Sequence, residues 1–122
     1  MPALAEIGKF RRLAELFVLA MKVDMLISAE QNMTAVASLM EYGLSERQAE
    51  SFLNSGFDKL DRGLIRSPEQ TLEAVAIAFR PRDHGYILGQ VQAILEQKEI
   101  TDKVQKFFDL CCKYLYHEEY YT

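Results

Sequence analysis

The chain has 122 residues, of which 49% are hydrophobic and 26% are charged, and its net charge at neutral pH is −4. This balance excludes a disordered chain, and the acidic net charge argues against a nucleic-acid partner, which would require a concentrated basic surface. No apolar run is long enough to span a bilayer and no secretory leader pattern is recognisable, so we expect a cytoplasmic protein that forms one domain over residues 1–122.

Apolar residues recur with the helical period along the whole chain, and no stretch alternates as a half-buried strand does. The pattern predicts an all-α domain of about six or seven helices. The first helix is apolar around most of its circumference, with its large side chains at Ile7, Phe10, Leu13, Leu16, Phe17 and Met21. A helix of this composition is expected at the centre of the fold.

Three serines are followed three residues later by a glutamine, the pattern of a helix-initiating capping box. The pairs are Ser28 and Gln31, Ser45 and Gln48, and Ser67 and Gln70, the last with Pro68 at the first helical position. Gly43 occupies the position at which a left-handed residue ends the helix that begins after Ser28.

Between these signals, apolar side chains at helical spacing predict one packed face for each helix, and each face requires a partner. The predicted faces are Met33, Val36, Ala37 and Met40; Ala49, Phe52, Leu53, Phe57 and Leu60; Leu72, Val75, Ala76 and Phe79; Ile87, Leu88, Val91, Ile94 and Leu95; and Val104, Phe107, Phe108, Cys111, Cys112 and Leu115.

The connection between the first two helices reads Asp24-Met25-Leu26-Ile27-Ser28-Ala29-Glu30. It resembles the interhelical acidic motif of the tellurite-resistance TerB-like family, small all-helical proteins that carry two such motifs in two pseudo-repeated halves. A second, degenerate copy lies 73 residues later, at 97–103, with Ile100 and Thr101 in the places of Ile27 and Ser28. The resemblance implies a repeated helical fold and a role in a stress or tellurite response.

The acidic residues of the motif are candidate metal ligands, chiefly Asp24 and Glu30. The second copy has Gln97 where the first has Asp24 and Lys103 where the first has Glu30, so it supplies fewer carboxylates. In the family the Asp is usually followed by Gly, whereas here Met25 follows it. We therefore expect no bound cofactor and at most a weak divalent-cation site; capping of the second helix also accounts for Glu30.

Few other side chains could take part in a chemical reaction. Cys111 and Cys112 are adjacent and lie on the predicted apolar face of the last helix, which favours packing over redox chemistry. His84 and His117 lack metal-ligand spacing. The alternative of a small enzyme, either a hydrolase or a thiol redox protein with a dispersed active site, nevertheless stays open.

The C-terminal segment is rich in tyrosine, a residue enriched at protein interfaces, and Tyr116, Tyr120 and Tyr121 are its candidate contact residues. Together these features predict a non-enzymatic helical module that acts by protein–protein interaction. The expected partner is another protein or a second copy of the chain.

Overall fold

The helices predicted from the periodicity are present, and short connections join them. The computed structural model describes residues 4–65 and 67–120, and every regular element in these residues is helical. The elements are α1 (Leu4–Lys22), α2 (Ala29–Met40), α3 (Glu46–Asp61), α4 (Pro68–Ala78), α5 (Pro81–Leu95), α6 (Asp102–Leu115) and a 3-10 turn (Glu118–Tyr120). The prediction of a single all-helical domain is confirmed.

Helix α1 lies at the centre of the domain, as its apolar composition predicts. It packs against α2, α3, α4 and α5, and no side chain in residues 13–21 is exposed. The carboxylate in this stretch, Glu15, lies 3.2 Å from Nη1 of Arg12 and 3.6 Å from Nζ of Lys59. A buried carboxylate is tolerated here because both neighbours are cationic.

All three predicted serine caps are present. Each serine hydroxyl accepts a hydrogen bond from the backbone N–H three residues later, which satisfies one of the donors left unpaired at a helix start. At Ser28 and Ser45 the glutamine side chain also bonds back to the serine N–H, so both capping boxes are complete. Ser67 is followed by Pro68 at the first position of α4.

Two glycines adopt left-handed backbone conformations where helices end. Gly43, with φ of 93°, follows α2 as predicted, and Gly63, with φ of 71°, follows α3. At Gly63 the N–H of Leu64 bonds to the carbonyl of Lys59 at 2.8 Å, and the glycine N–H bonds to that of Leu60 at 3.0 Å. These two bonds form a Schellman motif, which closes α3 before the chain turns into α4.

The predicted packed face of α2 is largely wrong. Val36 is buried, but Met33, Ala37 and Met40 are exposed. The buried face is instead rotated around the helix, and its members are Gln31, Ala35, Val36, Ser38 and Leu39. Apolar periodicity misses this face because two of its five members are polar.

Hydrogen bonds join the buried face of α2 to α5, one of them made by the side chain of the buried Gln31. Gln31 donates from Nε2 to the carbonyl of Ile94 at 3.3 Å, and the carbonyl of Ser38 accepts from Nε2 of Gln90, also at 3.3 Å. Buried polar groups are stable only when they are paired in this way. These contacts fix α2 antiparallel to α5.

Helix α6 buries a narrower face than its sequence predicts. Val104, Phe107, Cys111 and Leu115 are buried, whereas Phe108 and Cys112 lie at the edge of the core and are only partly covered. Successive residues are about 100° apart around a helix, so the predicted apolar stripe spans about 140° and its buried part about 80°. The stripe is therefore about 60° wider than its contact with the rest of the fold.

Truncation of the two neighbouring phenylalanines of α6 is therefore expected to have unequal effects. Phe107→Ala removes a buried ring and leaves a cavity, which should lower the free energy of unfolding by about 3–5 kcal/mol. Phe108→Ala removes a partly exposed ring and should cost about 1–2 kcal/mol. Chemical denaturation of both variants beside the wild type measures the difference, and equal losses would contradict this packing of α6.

Candidate functional site

The two helix connections that share the acidic motif lie against each other. Each has six residues, 23–28 between α1 and α2 and 96–101 between α5 and α6. Nζ of Lys98 in the second connection lies 2.8 Å from Oδ1 of Asp24 in the first. The side chains of this ion pair are 19% and 22% exposed, so solvent screens the pair only in part.

Asp24 has further contacts within its own connection. Its Oδ1 also accepts a hydrogen bond of 3.2 Å from the backbone N–H of Leu26. Met25, between these two residues, has a φ of 68°, a left-handed conformation that L-residues other than Gly, Asn and Asp rarely adopt. The hydrogen bond from Lys98, more than any other contact, holds the pKa of the Asp24 carboxyl below its ordinary value.

The predicted metal ligands do not form a cluster. Asp24 is paired with Lys98, and Glu30 lies exposed in the first turn of α2. Within residues 4–65 and 67–120, no three side chains of histidine, cysteine, aspartate or glutamate converge as a metal-binding group. A divalent cation at Asp24 would have to compete with the ammonium group of Lys98.

A second feature is a groove between α2 and α5, with a volume of about 570 Å³. Its walls carry Met33 and Tyr86, which are 69% and 57% exposed. The remaining lining residues are mostly small: Thr34, Ala37, Ser38, Gly85, Gly89 and Ala93, together with Glu41 and Gln90. Met33 and Ala37, two of the four α2 residues predicted to pack inward, thus contribute to one wall of an open apolar groove.

Gln90 lies under one end of the groove and joins its two walls. Its side chain is buried; its oxygen accepts a 2.7 Å bond from the Tyr42 hydroxyl, and its Nε2 lies 3.2 Å from Oε2 of Glu41. The Tyr86 hydroxyl donates to the same carboxylate oxygen. Burial raises the pKa of Tyr42, and the bond to Glu41 raises that of Tyr86, so both hydroxyls stay protonated at neutral pH.

The two histidines, separated by 33 residues in the chain, are in direct contact. Nδ1 of His84 lies 2.7 Å from Nε2 of His117. His84 is buried at the start of α5, and His117 follows α6. The sequence offers no signal for this contact, because it depends on the packing of α4, α5 and α6.

The thiols differ in burial. Cys111 is fully buried as predicted, whereas Cys112 is partly exposed; neither forms a disulfide. Burial raises the pKa of Cys111 to about 12, and burial also raises the pKa of Cys112. Both thiols are therefore protonated at neutral pH, and a protonated thiol is a poor nucleophile.

Of the candidate interface tyrosines, Tyr116 is 48% exposed just after α6. The side chain of Tyr120 and the whole of Tyr121 lie outside the described residues. Their role at an interface stays a prediction.

Comparison of the chain with protein-family models, with curated proteins and with solved structures gives no match. Among the residues described, no helix has the length and apolar composition that a membrane crossing requires.

The ion pair between the two connections gives an acid-dependent stability. The pKa of Asp24 is lowered in the folded state, so its contribution is complete above the unfolded pKa of about 4 and is lost as the pH falls through the folded pKa. Lys98→Met should destabilise the domain by about 1 kcal/mol at pH 7 and by much less at pH 2. Denaturation at both pH values, with the exposed Lys103→Met as control, tests this; an equal loss at both would contradict the pairing.

The two cysteines should react with a thiol reagent one after the other. At pH 8 a pKa of about 12 leaves about one part in ten thousand of Cys111 as thiolate, and its burial blocks access as well. We expect Cys112 to react slowly in the native protein and Cys111 to react only on unfolding. Labelling of the wild type and of Cys112→Ser, with and without denaturant, separates the two thiols. Rapid native labelling of Cys112→Ser would show that Cys111 is accessible.

Proposed function

We propose that this chain is a non-catalytic, TerB-like helical module that binds a helix of a partner protein in the groove between α2 and α5. The proposal depends on one observation above all: Met33 and Ala37, two of the four apolar residues predicted to pack inward from α2, line this groove instead of the core. A stripe of helical period normally requires a partner helix, and residues 4–65 and 67–120 supply none on this side.

The likeness to the TerB-like family, and with it a role in a stress or tellurite response, is part of the proposal. Its support is the equivalence of the two connections. Both have six residues, and both end in a hydroxyl cap, Ser28 and Thr101, preceded by a half-exposed isoleucine, Ile27 and Ile100. The left-handed conformation of Met25 also suits the position at which the family usually has Gly.

The shape of the groove suits a helix. Gly85, Gly89 and Ala93 follow one another at intervals of four along α5, and small residues at this spacing let a second backbone approach closely. From Met33 to Glu41 the α2 wall is about 12 Å long, which corresponds to about two turns of a docked helix. Gly89 is exposed within α5, and a Cβ atom added to it would contact nothing within 4 Å, so packing within the chain does not require a glycine there.

The charges around the groove select the partner. Glu30 lies one turn before Thr34 on α2, and Glu96 lies one turn beyond Ala93 on α5; both are exposed at the same end. At the other end Glu41 accepts bonds from Tyr86 and Gln90, and the exposed Arg82 lies one turn before Tyr86. Tyr86 and Gln90 are neutral, so Glu41 keeps its negative charge; Asp83 adds a second negative charge at this end, and Arg82 offsets one of the two. The net charge of these groups is therefore more negative at the Glu30 end. A complementary partner is an amphipathic helix with an apolar face of small and aliphatic residues and lysine or arginine at one end.

In the part of the chain that the structure describes, the alternative of an enzyme lacks a cavity that is lined by a reactive cysteine or histidine. Neither cysteine nor histidine lines the groove, and the same is true of a second apolar depression formed by Leu19, Val23, Leu60, Phe107 and their neighbours. Both thiols have raised pKa values, which opposes nucleophilic catalysis at neutral pH.

Binding can be tested with a synthetic amphipathic helix of about 16 residues that has an alanine and leucine face and two lysines in its last turn. Titration of the isotope-labelled protein should shift the backbone amide signals of α2 and α5. Gly89→Leu, which fills the groove, should weaken binding at least tenfold. Gly89→Ala is the matched control, since it should retain binding and raise stability by about 0.5–1 kcal/mol. A peptide with glutamates in place of the lysines should bind several times more weakly.

Three results would overturn the proposal. The peptide signals could map outside α2 and α5, or the affinity could be unchanged in Gly89→Leu. The protein could also self-associate without peptide, with sedimentation showing a dimer that Gly89→Leu dissociates. That last result would assign the groove to a second copy of the chain instead of a different protein.

A further inference from the structure

When both rings are neutral, only one placement of their hydrogens makes the contact between His84 and His117 a hydrogen bond. Nε2 of His84 lies 3.0 Å from the carbonyl oxygen of Ala76 and 2.9 Å from that of Phe79. Carbonyl oxygens only accept, so this nitrogen must carry the hydrogen. Nδ1 of His84 is then an acceptor, and Nε2 of His117, 2.7 Å away, must be the donor.

The carbonyls that hold His84 belong to the end of α4. The last carbonyls of a helix have no partner within the helix, and His84 caps two groups at this terminus. The ring is also buried, at 3% exposure. The orientation of His84 is thus fixed by α4 and α5, and its Nδ1 points at the segment that follows α6.

The hydrogen bond between the two rings survives the protonation of one ring but not of both. If His117 alone is protonated, it still donates from Nε2 to Nδ1 of His84. If both rings are protonated, two N–H groups face each other across the contact, and two positive charges occupy rings whose centroids are 4.9 Å apart. The second proton therefore converts the hydrogen bond into a repulsive contact.

We propose that the His84–His117 pair is a proton-operated latch that holds residues 116–120 beside the start of α5 and the end of α4, and releases them when both rings are protonated. Histidine is the side chain that ordinarily changes charge between pH 5 and 8, so this is the range in which release is to be tested. The latched state accommodates fewer protons than the released state. Its free energy advantage must therefore decrease as the pH falls.

The other charged groups near the pair are not expected to control the release. Glu73 on α4, Arg80 and Asp83 on α5, Lys113 on α6, and Glu118 and Glu119 in the 3-10 turn are all exposed, as is Arg82. Exposed charges are strongly screened by water and salt. The buried thiol of Cys111 on α6 carries no charge in this pH range, since its pKa is raised to about 12.

Release would change which surfaces are available for binding. The segment contains Tyr116 and Tyr120, and its departure would uncover the part of α4 and α5 next to His84. The latch is independent of the α2–α5 groove, because neither histidine lines that groove.

Nuclear magnetic resonance can follow both the protons and the segment, since the chain has only two histidines. At pH 7.5, long-range proton–nitrogen spectra should show the hydrogen on Nε2 of both rings. Backbone order parameters of residues 116–120 should fall from about 0.85 at pH 7.5 to below 0.6 at pH 5.0. The order parameters of α1 to α6 should stay unchanged.

Two variants separate the latch from general acid effects. In His117→Ala the segment should be mobile at both pH values. In His117→Gln it should stay ordered at both, because the glutamine amide can donate to neutral His84 or accept from protonated His84 without titrating. The proposal is overturned if the wild-type segment stays ordered at pH 5.0 with both rings protonated, if His84 carries its hydrogen on Nδ1 at pH 7.5, or if the segment in His117→Ala is as ordered as in the wild type at pH 7.5.

Discussion

Burial of α1 is the constraint on which the other helices depend. No side chain is exposed between residues 13 and 21, so this stretch must be covered on every side. Helices α2, α3, α4 and α5 provide that cover, and α6 packs outside them against α4 and α5. At Gly56 of α3 the contact with α1 is close enough that a Cβ atom would lie 2.9 Å from Cγ2 of Val18. The glycine there is required by packing.

The need to cover α1 explains why α2 and α5 leave a groove between them. Both helices direct their largest buried side chains inward, and α5 buries Ile87, Val91 and Ile94 in the core. The two helices are also joined by hydrogen bonds from the side chains of Gln31 and Gln90 to backbone carbonyls of the opposite helix. Hydrogen bonds fix the spacing of two helices without filling the surface above them. The apolar side chains on that surface therefore stay exposed.

The helix connections and the histidine pair show how the same packing creates contacts between distant parts of the chain. Asp24 and Lys98 meet because α1, α2, α5 and α6 end or begin at the same place in the fold. His84 and His117 meet because the short link from α4 to α5 lies beside the end of α6. Each pair joins residues whose own segments show no sign of the other partner.

The sequence alone determined the helical class, the position of α1 and the helix starts, since these depend on local periodicity and on serine hydroxyls that bond three residues away. It also indicated the likeness of the two connections. The exposed stripe of α2, the partial exposure of Phe108 and both side-chain pairs were decided only by the tertiary structure. Periodicity shows that a helix has an apolar face, but which part of that face is covered depends on how far neighbouring helices reach around it. In α2, a side-chain hydrogen bond to α5 holds polar Gln31 inside, and the buried face that contains it leaves Met33 and Ala37 outside.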